Sequence, residues 1–167
     1  MNQKEITAFY HEHSRRLYNM SYRILLNAED AEEVMQDTIL KFVTRPLKPQ
    51  QEQQVSAWLA RTCIRASIDR LRKQRREALL LEEIVQEWRN DGEEEEISDE
   101  IPAGRVLAAI RQLPDPYRLV VTLYLVEGLD YEEIASYTGW KESTLRSHFL
   151  RGKRKLLLIL KDDGQSI

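Results

Sequence analysis

Cysteine, glycine and proline are scarce in this chain of 167 residues, which has one, six and five of them. A single cysteine excludes an internal disulfide and any zinc site built from several cysteines. With 42% hydrophobic and 32% charged residues, this composition favours a helical protein over a β-sandwich or barrel. No run of about 18 apolar residues occurs, and the N-terminus has no apolar core. We therefore expect no membrane span, no signal peptide and a cytoplasmic location.

The usual signatures of catalysis are also missing. There is no phosphate-binding glycine loop and no G-x-S-x-G motif. His11 and His13 are two residues apart, which places them on different sides of a helix, and no acidic pair completes a metal site. Cys63 lies on an apolar helix face, which indicates a packed thiol rather than a nucleophile. We expect no enzymatic activity, no metal and no cofactor.

Acidic charge is concentrated in the middle of the chain. Residues 1–76 carry 14 Lys/Arg and 9 Asp/Glu, a net +5, and residues 105–167 carry 10 and 8, a net +2. Residues 77–104 carry one basic and eleven acidic residues, a net −10. The later part of this segment lacks apolar periodicity and contains four consecutive glutamates. We interpret 78–104 as a flexible acidic linker, either a solvated spacer or a segment that occupies a basic channel in a partner.

The residues before the linker predict a small helical domain over 1–77. Apolar residues recur at helical spacing up to about residue 26, and Asn27 is expected to close that helix. A second helix over AEDAEEVMQDTILKFV ends before TRPLKPQ, because prolines interrupt helical hydrogen bonding. Its predicted inner face consists of Ala31, Val34, Met35, Thr38, Ile39 and Phe42.

A third helix, from about Val55 to Arg76, is apolar on two sides and basic on a third. At 100° per residue, one narrow stripe carries Arg61, Arg65, Arg72 and Arg76, with Trp58 and Asp69 beside it. Basic ridges are common on protein surfaces. The cluster RLRKQRR at 70–76 strengthens the interpretation of this helix as an element that follows nucleic-acid phosphates.

The residues after the linker predict a second helical domain, over 105–163, that contains a helix-turn-helix. Pro116 suits the first turn of a helix, and Gly128 suits a helix end. Asp130 and Glu133 form a capping box at the start of the next helix, and Gly139 allows a tight reversal into a basic helix. Residues 138–157 contain six Lys/Arg and one acidic residue.

The basic helix has a predicted packing face of Leu145, Phe149, Gly152 and Leu156, with Gly152 permitting close approach of the preceding helix. A solvated basic helix would also be amphipathic, but the cap, the glycine turn and the packing face together favour binding in a DNA major groove. The residues predicted to contact base edges are Thr144, Ser147, His148 and Arg151. Those predicted to contact phosphates are Arg146, Lys153, Arg154 and Lys155.

The order of these segments resembles the extracytoplasmic-function (ECF) sigma factors, the minimal two-domain sigma subunits of bacterial RNA polymerase. AEDAEEVMQDTILKFV resembles the family's polymerase-binding helix, and WLARTCIRASIDRLRKQRR resembles its promoter −10 helix. LPDPYRLVVTLYLVEGLDYEEIASYTGWKESTLRSHFLRGKRKLL resembles the domain that reads the −35 element. The resemblance implies an all-α fold of two small domains joined by a linker, the C-terminal one a helix-turn-helix.

The resemblance also implies partners and roles. These are core RNA polymerase, bound through its β′ clamp helices and β flap, promoter DNA and an anti-sigma factor. The loop at 44–54 corresponds to one that receives a flipped promoter base, and the linker to a segment that threads the polymerase. Polymerase-binding positions are Asp30, Glu33, Gln36, Asp37 and Lys41. The −10 positions matching the family pattern are Asp69, Arg72 and Lys73, beside the stripe arginines Arg61, Arg65 and Arg76.

Three positions depart from the family pattern, and one alternative function stays open. Arg65 replaces a usual asparagine, Lys141 a usual serine at the helix start, and His148 a frequent arginine. His148 is therefore expected to change the −35 sequence that is read and to make that contact pH-dependent. The alternative is a stand-alone helix-turn-helix regulator that binds duplex DNA as a dimer. Such a regulator would not need the helices at 28–43 and 58–76.

Overall fold

The described parts of the protein are mostly helical. The computed structural model describes residues 1–45, 52–84 and 96–165, with side chains except those of residues 52, 75–84 and 164–165. Within these ranges there is no β-strand, which confirms the all-α fold class. The chain divides into two compact units, Met1–Gln74 and Arg75–Ile167.

Three long helices come first in the described chain, and the helices of the C-terminal half follow them. The first three are α1 (Gln3–Leu25), α2 (Ala28–Thr44) and α3 (Glu52–Ile84). The later ones are α4 (Ala103–Ile110), α5 (Asp115–Val121) with a π-helical stretch at Thr122–Val126, α6 (Tyr131–Thr138) and α7 (Glu142–Gln165).

Local signals set the ends of α1 and the start of α2. Asn2 and Glu5 form a capping box at the start of α1. Leu26 ends the helix in the left-handed conformation, at φ 51°. Asn27 does not close α1, as the sequence had suggested, but caps α2, since its side chain accepts a hydrogen bond from the Asp30 backbone N–H at 3.0 Å. Asparagine is a strong N-cap residue. Its side chain here satisfies a backbone N–H at the start of α2 rather than a group at the end of α1.

The first unit buries the faces that helical periodicity predicts. The apolar face of α3 buries Leu59, Ile64, Ile68 and Leu71, and Cys63 among them donates to the Leu17 carbonyl at 3.4 Å. Cys63 is thus a packed thiol. The predicted inner face of α2 is confirmed, because all of its members are buried: Ala31, Val34, Met35, Thr38, Ile39 and Phe42.

Helix α3 continues as far as Ile84, into the segment interpreted as the linker. The apolar residues at 79–81 were compatible with a continued helix. The acidic residues 85–95 and the loop residues 46–51 lie outside the described residues. The interpretations of the 44–54 loop as a base pocket and of 78–104 as a flexible linker therefore stay predictions.

The second unit contains the expected helix-turn-helix. The Asp130 side chain accepts a hydrogen bond from the Glu133 backbone N–H at 2.8 Å, and the Asp130 N–H donates to the Glu133 carboxylate at 3.4 Å. Gly139 then reverses the chain at φ 75°, a left-handed conformation that glycine adopts without strain. Helix α7 begins at Glu142, which confirms the predicted order of cap, helix, glycine turn and basic helix.

Gly152 of α7 lies against α5. A Cβ atom at this position would lie 2.6 Å from Val121 Cγ2 and 3.2 Å from Tyr117 Cβ. The predicted packing face is confirmed, since Leu145, Phe149 and Leu156 are buried with it. The predicted partner was wrong, however, because the sequence pointed to the preceding helix, α6, and the close approach is to α5.

Neither a membrane-spanning helix nor a metal site is found in the described part of the chain. None of the helices formed by residues 1–45, 52–84 and 96–165 has the length and apolar character needed to cross a bilayer. Across the same ranges, no three His, Cys, Asp or Glu side chains group in a way that could hold a metal ion.

Candidate nucleic-acid interface

The predicted basic stripe of α3 faces solvent in the first unit. Arg61, Arg65 and Lys73 are exposed, and Arg72 is half-buried. Asp69 is exposed beside them. The side chain of Arg76 lies outside the described residues. The opposite faces of α3 are buried, so the helix is fixed in the unit while it presents guanidinium and ammonium groups outward, as binding to nucleic-acid phosphates requires.

The outer face of α2 presents polar and charged groups together with one large apolar side chain. Gln36, Asp37 and Lys41 are exposed, as predicted for a polymerase-binding surface. Leu40 is 57% exposed on the same helix. Leu40 was not among the predicted contact residues. The sequence could have indicated its exposure, because Leu40 does not belong to the predicted inner face of α2. A single exposed leucine is common on protein surfaces, but this one lies among the residues predicted to bind polymerase.

Two of the predicted polymerase-binding acids are also engaged within the unit. Arg70 of α3 forms ion pairs with Glu33 and, at 3.3 Å, with Asp30. Gln74 donates to the other Asp30 oxygen at 2.8 Å. The hydrogen bond to Glu33 raises the pKa of Arg70. Asp30 thus ties α2 to α3, while the more exposed Glu33 remains accessible to a partner; Arg70 was not singled out because its partners lie far away in sequence.

The exposed side of α7 differs from the side predicted from a helical projection. Ser143, Arg146 and Arg154 are exposed, whereas Thr144 and Arg151 are half-buried. Arg151 Nη1 lies 3.4 Å from the Tyr117 hydroxyl, which accepts its hydrogen bond. The accessible surface is therefore turned toward Ser143 and Arg146, because α5 and the Gly139 turn cover part of the predicted surface.

The prediction that His148 faces outward was wrong. His148 is 3% exposed, with its ring centroid 5.5 Å from Tyr117 and 5.4 Å from Trp140. Neither ring nitrogen has a hydrogen-bond partner among the described residues. Burial, with a smaller contribution from the charge of Arg151, lowers its pKa to about 4. In this position the imidazole packs the helix onto its domain and cannot reach a base edge, and a group that titrates near pH 4 makes no pH-dependent DNA contact near neutrality.

Lys153 was also predicted to face phosphates, and it does not. Its side chain is 10% exposed, and its Nζ atom lies 3.6 Å from Glu96 Oε1. Glu96 itself is 87% exposed. Lys153 therefore forms an ion pair with a residue that precedes α4. Of the residues predicted to contact phosphates in the second half of α7, Arg154 and Lys155 remain, and both are exposed to solvent.

Family models match both units. Residues 9–77 match Sigma-70 region 2, and residues 103–156 match Sigma-70 region 4. The ECF RNA polymerase sigma factor SigE of Mycolicibacterium smegmatis is 33% identical over 150 residues, which cover 87% of this chain and 57% of SigE. The RNA polymerase sigma factor SigV of Bacillus subtilis is 26% identical over 155 residues, covering 93% of this chain and 90% of SigV. The chain thus spans little more than half the length of SigE and most of SigV.

A solved structure has the same fold. It is the sigma factor RpoE in complex with the anti-sigma factor NepR from Bartonella quintana, with a TM-score of 0.56 and 19% sequence identity. The match covers 95% of this chain and 98% of that one. This likeness concerns the fold.

Proposed function

The chain belongs to the ECF sigma factors, and on that premise we propose that it directs promoter-specific transcription initiation by RNA polymerase. Region 2 binds core polymerase through α2 and stabilises the melted −10 strand through α3. Region 4 places α7 in the major groove of the −35 element. The chain acts as a binding subunit, and the polymerase supplies the catalysis.

The observation that carries this proposal is the presence of two separate cationic surfaces in one chain. The α3 stripe, defined by Arg61, Arg65, Arg72 and Lys73, lies in the first unit. The helix-turn-helix of α6 and α7 lies in the second. A stand-alone regulator needs the second surface only, and none of the relatives named above is such a regulator. Two contacts on one promoter are what a sigma factor requires.

Region 4 also has an apolar groove that suits the polymerase. It is open to solvent, has a volume of about 630 Å³ and lies beside α4 and the π-helical stretch. Leu125, at its edge, is 42% exposed. We assign this groove to the β flap, since an apolar groove of this kind accepts the apolar face of a helix. The other lining residues are Ile97, Ser98, Asp99, Ile101, Pro102, Ala103, Val106, Leu107, Ile110 and Val126.

Regulation and location follow from the same proposal. A subunit of RNA polymerase works where the polymerase is, in the cytoplasm. The structurally similar RpoE is found bound to an anti-sigma factor. We propose that an anti-sigma factor also binds this chain and competes for the surfaces that contact polymerase and DNA.

The proposed function is tested by reconstitution. The full chain is added to core RNA polymerase with a library of genomic or random templates, and the 5′ ends of the transcripts are sequenced. We expect transcripts that start downstream of one shared two-part sequence and that are absent with core polymerase alone.

Tight, sequence-specific duplex binding by the chain alone, with no effect on polymerase, would instead establish the regulator. The same reaction with Leu40→Glu is the internal check. Charge on the exposed α2 surface should weaken core binding without changing the fold, because Leu40 is 57% exposed.

Alanine at Arg72 or Lys73 is expected to impair promoter melting more than initial promoter binding. Each side chain lies on the exposed side of α3 and would contact the phosphates of the melted strand. Loss of one charge-assisted hydrogen bond, worth about 1.5–3 kcal/mol, lowers open-complex formation about tenfold or more. Permanganate reactivity of unpaired thymines measures melting, and filter binding measures the initial complex.

Arg15→Ala is the matched control for this experiment. Arg15 is an exposed arginine on α1, in the same unit but on a different helix from the stripe. It loses the same charge without loss of a proposed contact, so its melting signal should match that of the parent protein. Unchanged permanganate reactivity in both Arg72→Ala and Lys73→Ala would remove these two side chains from the melting step.

A further inference from the structure

Arg146 has a defined environment although its side chain is 63% exposed. Its guanidinium carbon lies 5.7 Å from the centroid of the Tyr131 ring. Its Nη2 atom also lies 3.7 Å from Glu142 Oε2, one turn earlier in α7. A guanidinium beside an aromatic ring is held by a cation–π interaction, which Arg forms more often than Lys. Two groups of its own domain therefore contact the guanidinium in the absence of DNA.

Tyr131 is itself fixed by other rings. It stacks on Tyr124 at 4.9 Å between centroids and 19° between planes, and its centroid lies 6.4 Å from that of Phe149 at 70° between planes. Tyr124 in turn lies 4.7 Å from Phe149, which belongs to the packing face of α7. Three elements, the π-helical stretch, α6 and α7, thus build one aromatic platform, and Tyr131 is the ring of that platform that contacts Arg146.

The position of Arg146 on α7 suits the reading of bases. It lies in the first half of the helix, between the exposed Ser143 and the half-buried Ser147, whose hydroxyl donates to the Ser143 carbonyl at 3.1 Å. Residues near the start of a recognition helix contact base edges, while phosphate contacts lie further along or outside the groove. His148, the neighbouring candidate for base contact, is buried.

We propose that Arg146 is a specificity-determining residue that reads a guanine in the −35 element, and that Tyr131 is its positioning residue. The sequence had suggested a phosphate contact for Arg146. A phosphate accepts a mobile cation from many directions, whereas the O6 and N7 atoms of guanine require the guanidinium fork in one plane. Tyr131 and Glu142 both contact the guanidinium of Arg146 and limit its movement. The inference rests on the proposed function, because it assigns the DNA read by region 4.

The experiment measures base preference rather than affinity alone. The full chain with core polymerase selects templates from a library randomised over the −35 region, and the full chain without polymerase selects duplexes from the same library. For Arg146→Ala, we expect the preference for guanine at one position to fall about tenfold or more. For Tyr131→Leu, we expect it to fall about two- to fivefold, the value of one exposed cation–π contact.

Three variants separate positioning from folding and from a general loss of charge. Tyr131→Phe keeps the ring and should keep the parent preference, whereas Tyr131→Leu keeps apolar volume and loses the π face. Lys155→Ala, an exposed cation further along α7, should weaken binding to all sequences equally. Circular dichroism melting of each variant shows whether region 4 remains folded, and the comparison of Tyr131→Phe with Arg146→Ala stands even if Tyr131→Leu does not fold.

The outcomes distinguish this inference from the proposed function. A uniform loss of binding in Arg146→Ala, with an unchanged base profile, would make Arg146 a phosphate contact and overturn the inference. An unchanged profile in a folded Tyr131→Leu, or a changed one in Tyr131→Phe, would overturn the role of the ring. If the parent chain selects a guanine-containing duplex through Arg146 but yields no transcripts, the sigma function fails and the reading role stands.

Discussion

Valine in place of Gly152 is expected to destabilise the Arg75–Ile167 unit by about 3 kcal/mol, as overpacking of a closely packed contact does. Even one added carbon would lie 2.6 Å from Val121 Cγ2, and the backbone oxygen of Tyr117 is only 3.4 Å away. The side chain of Val121 can rotate, but the backbone of α5 cannot retreat without moving the buried Leu119 and Val120. Denaturant unfolding followed by circular dichroism measures the loss.

Two comparisons isolate the close approach from the general cost of valine in a helix. Gly104 lies in α4, where an added Cβ meets no atom within 4 Å, so Gly104→Val should cost much less. Val121→Ala removes the nearest atom, and the double variant should recover part of the loss. Equal unfolding free energies for Gly152→Val and Gly104→Val would show that α7 does not depend on this contact.

Acidification from pH 7 to pH 5 is expected to lower the stability of the second unit by about 2 kcal/mol through His148 alone. Its pKa is about 4 in the folded protein and 6.5 in the unfolded chain. The unfolded chain therefore binds the proton first, and stability falls as the pH falls from about 6.5 to about 4. Above pH 7 both states are neutral, and below pH 4 both are charged, so this group adds no further slope.

His148→Phe tests this pH dependence. The phenyl ring keeps the contacts with Tyr117 and Trp140 and cannot be protonated, so the variant should lose less stability than the parent between pH 7 and pH 5. Other groups titrate equally in both proteins, and the difference isolates His148. A chemical-shift titration of the His148 ring with a midpoint near 6.5, or identical pH slopes for the two proteins, would show that the imidazole is open to solvent.

Helical periodicity predicted the core of α2 because its apolar residues share one face, and that face packs against other helices, as Phe42 does against Phe9 of α1. The same method misplaced His148. In projection His148 lies at the border between the packing face and the outer face, and only Tyr117 of α5 and Trp140 in the turn decide its burial. Those contacts are tertiary, and no pattern within α7 contains them.

Helical periodicity could not predict contacts between residues that lie far apart in the sequence. Arg70 belonged to a recognised basic cluster, but its pairing with Asp30 and Glu33 joins helices separated by a loop. The sequence correctly linked Gly152 to the close approach of another helix, because a glycine on a packing face usually marks such a contact. Which helix approaches depends on the path of the chain, and α5 reaches it rather than α6.

The π-helical stretch at Thr122–Val126 constrains the length of the chain. The Glu127 N–H bonds to the Thr122 carbonyl at 3.0 Å, five residues back, so this turn holds one residue more than an α-helical turn would. Loss of that residue would rotate the residues after it by about 100°. Tyr124 would then leave the rings of Tyr131 and Phe149. A one-residue deletion in this segment would therefore separate the rings on which Arg146 rests, although it would hardly change the composition of the segment.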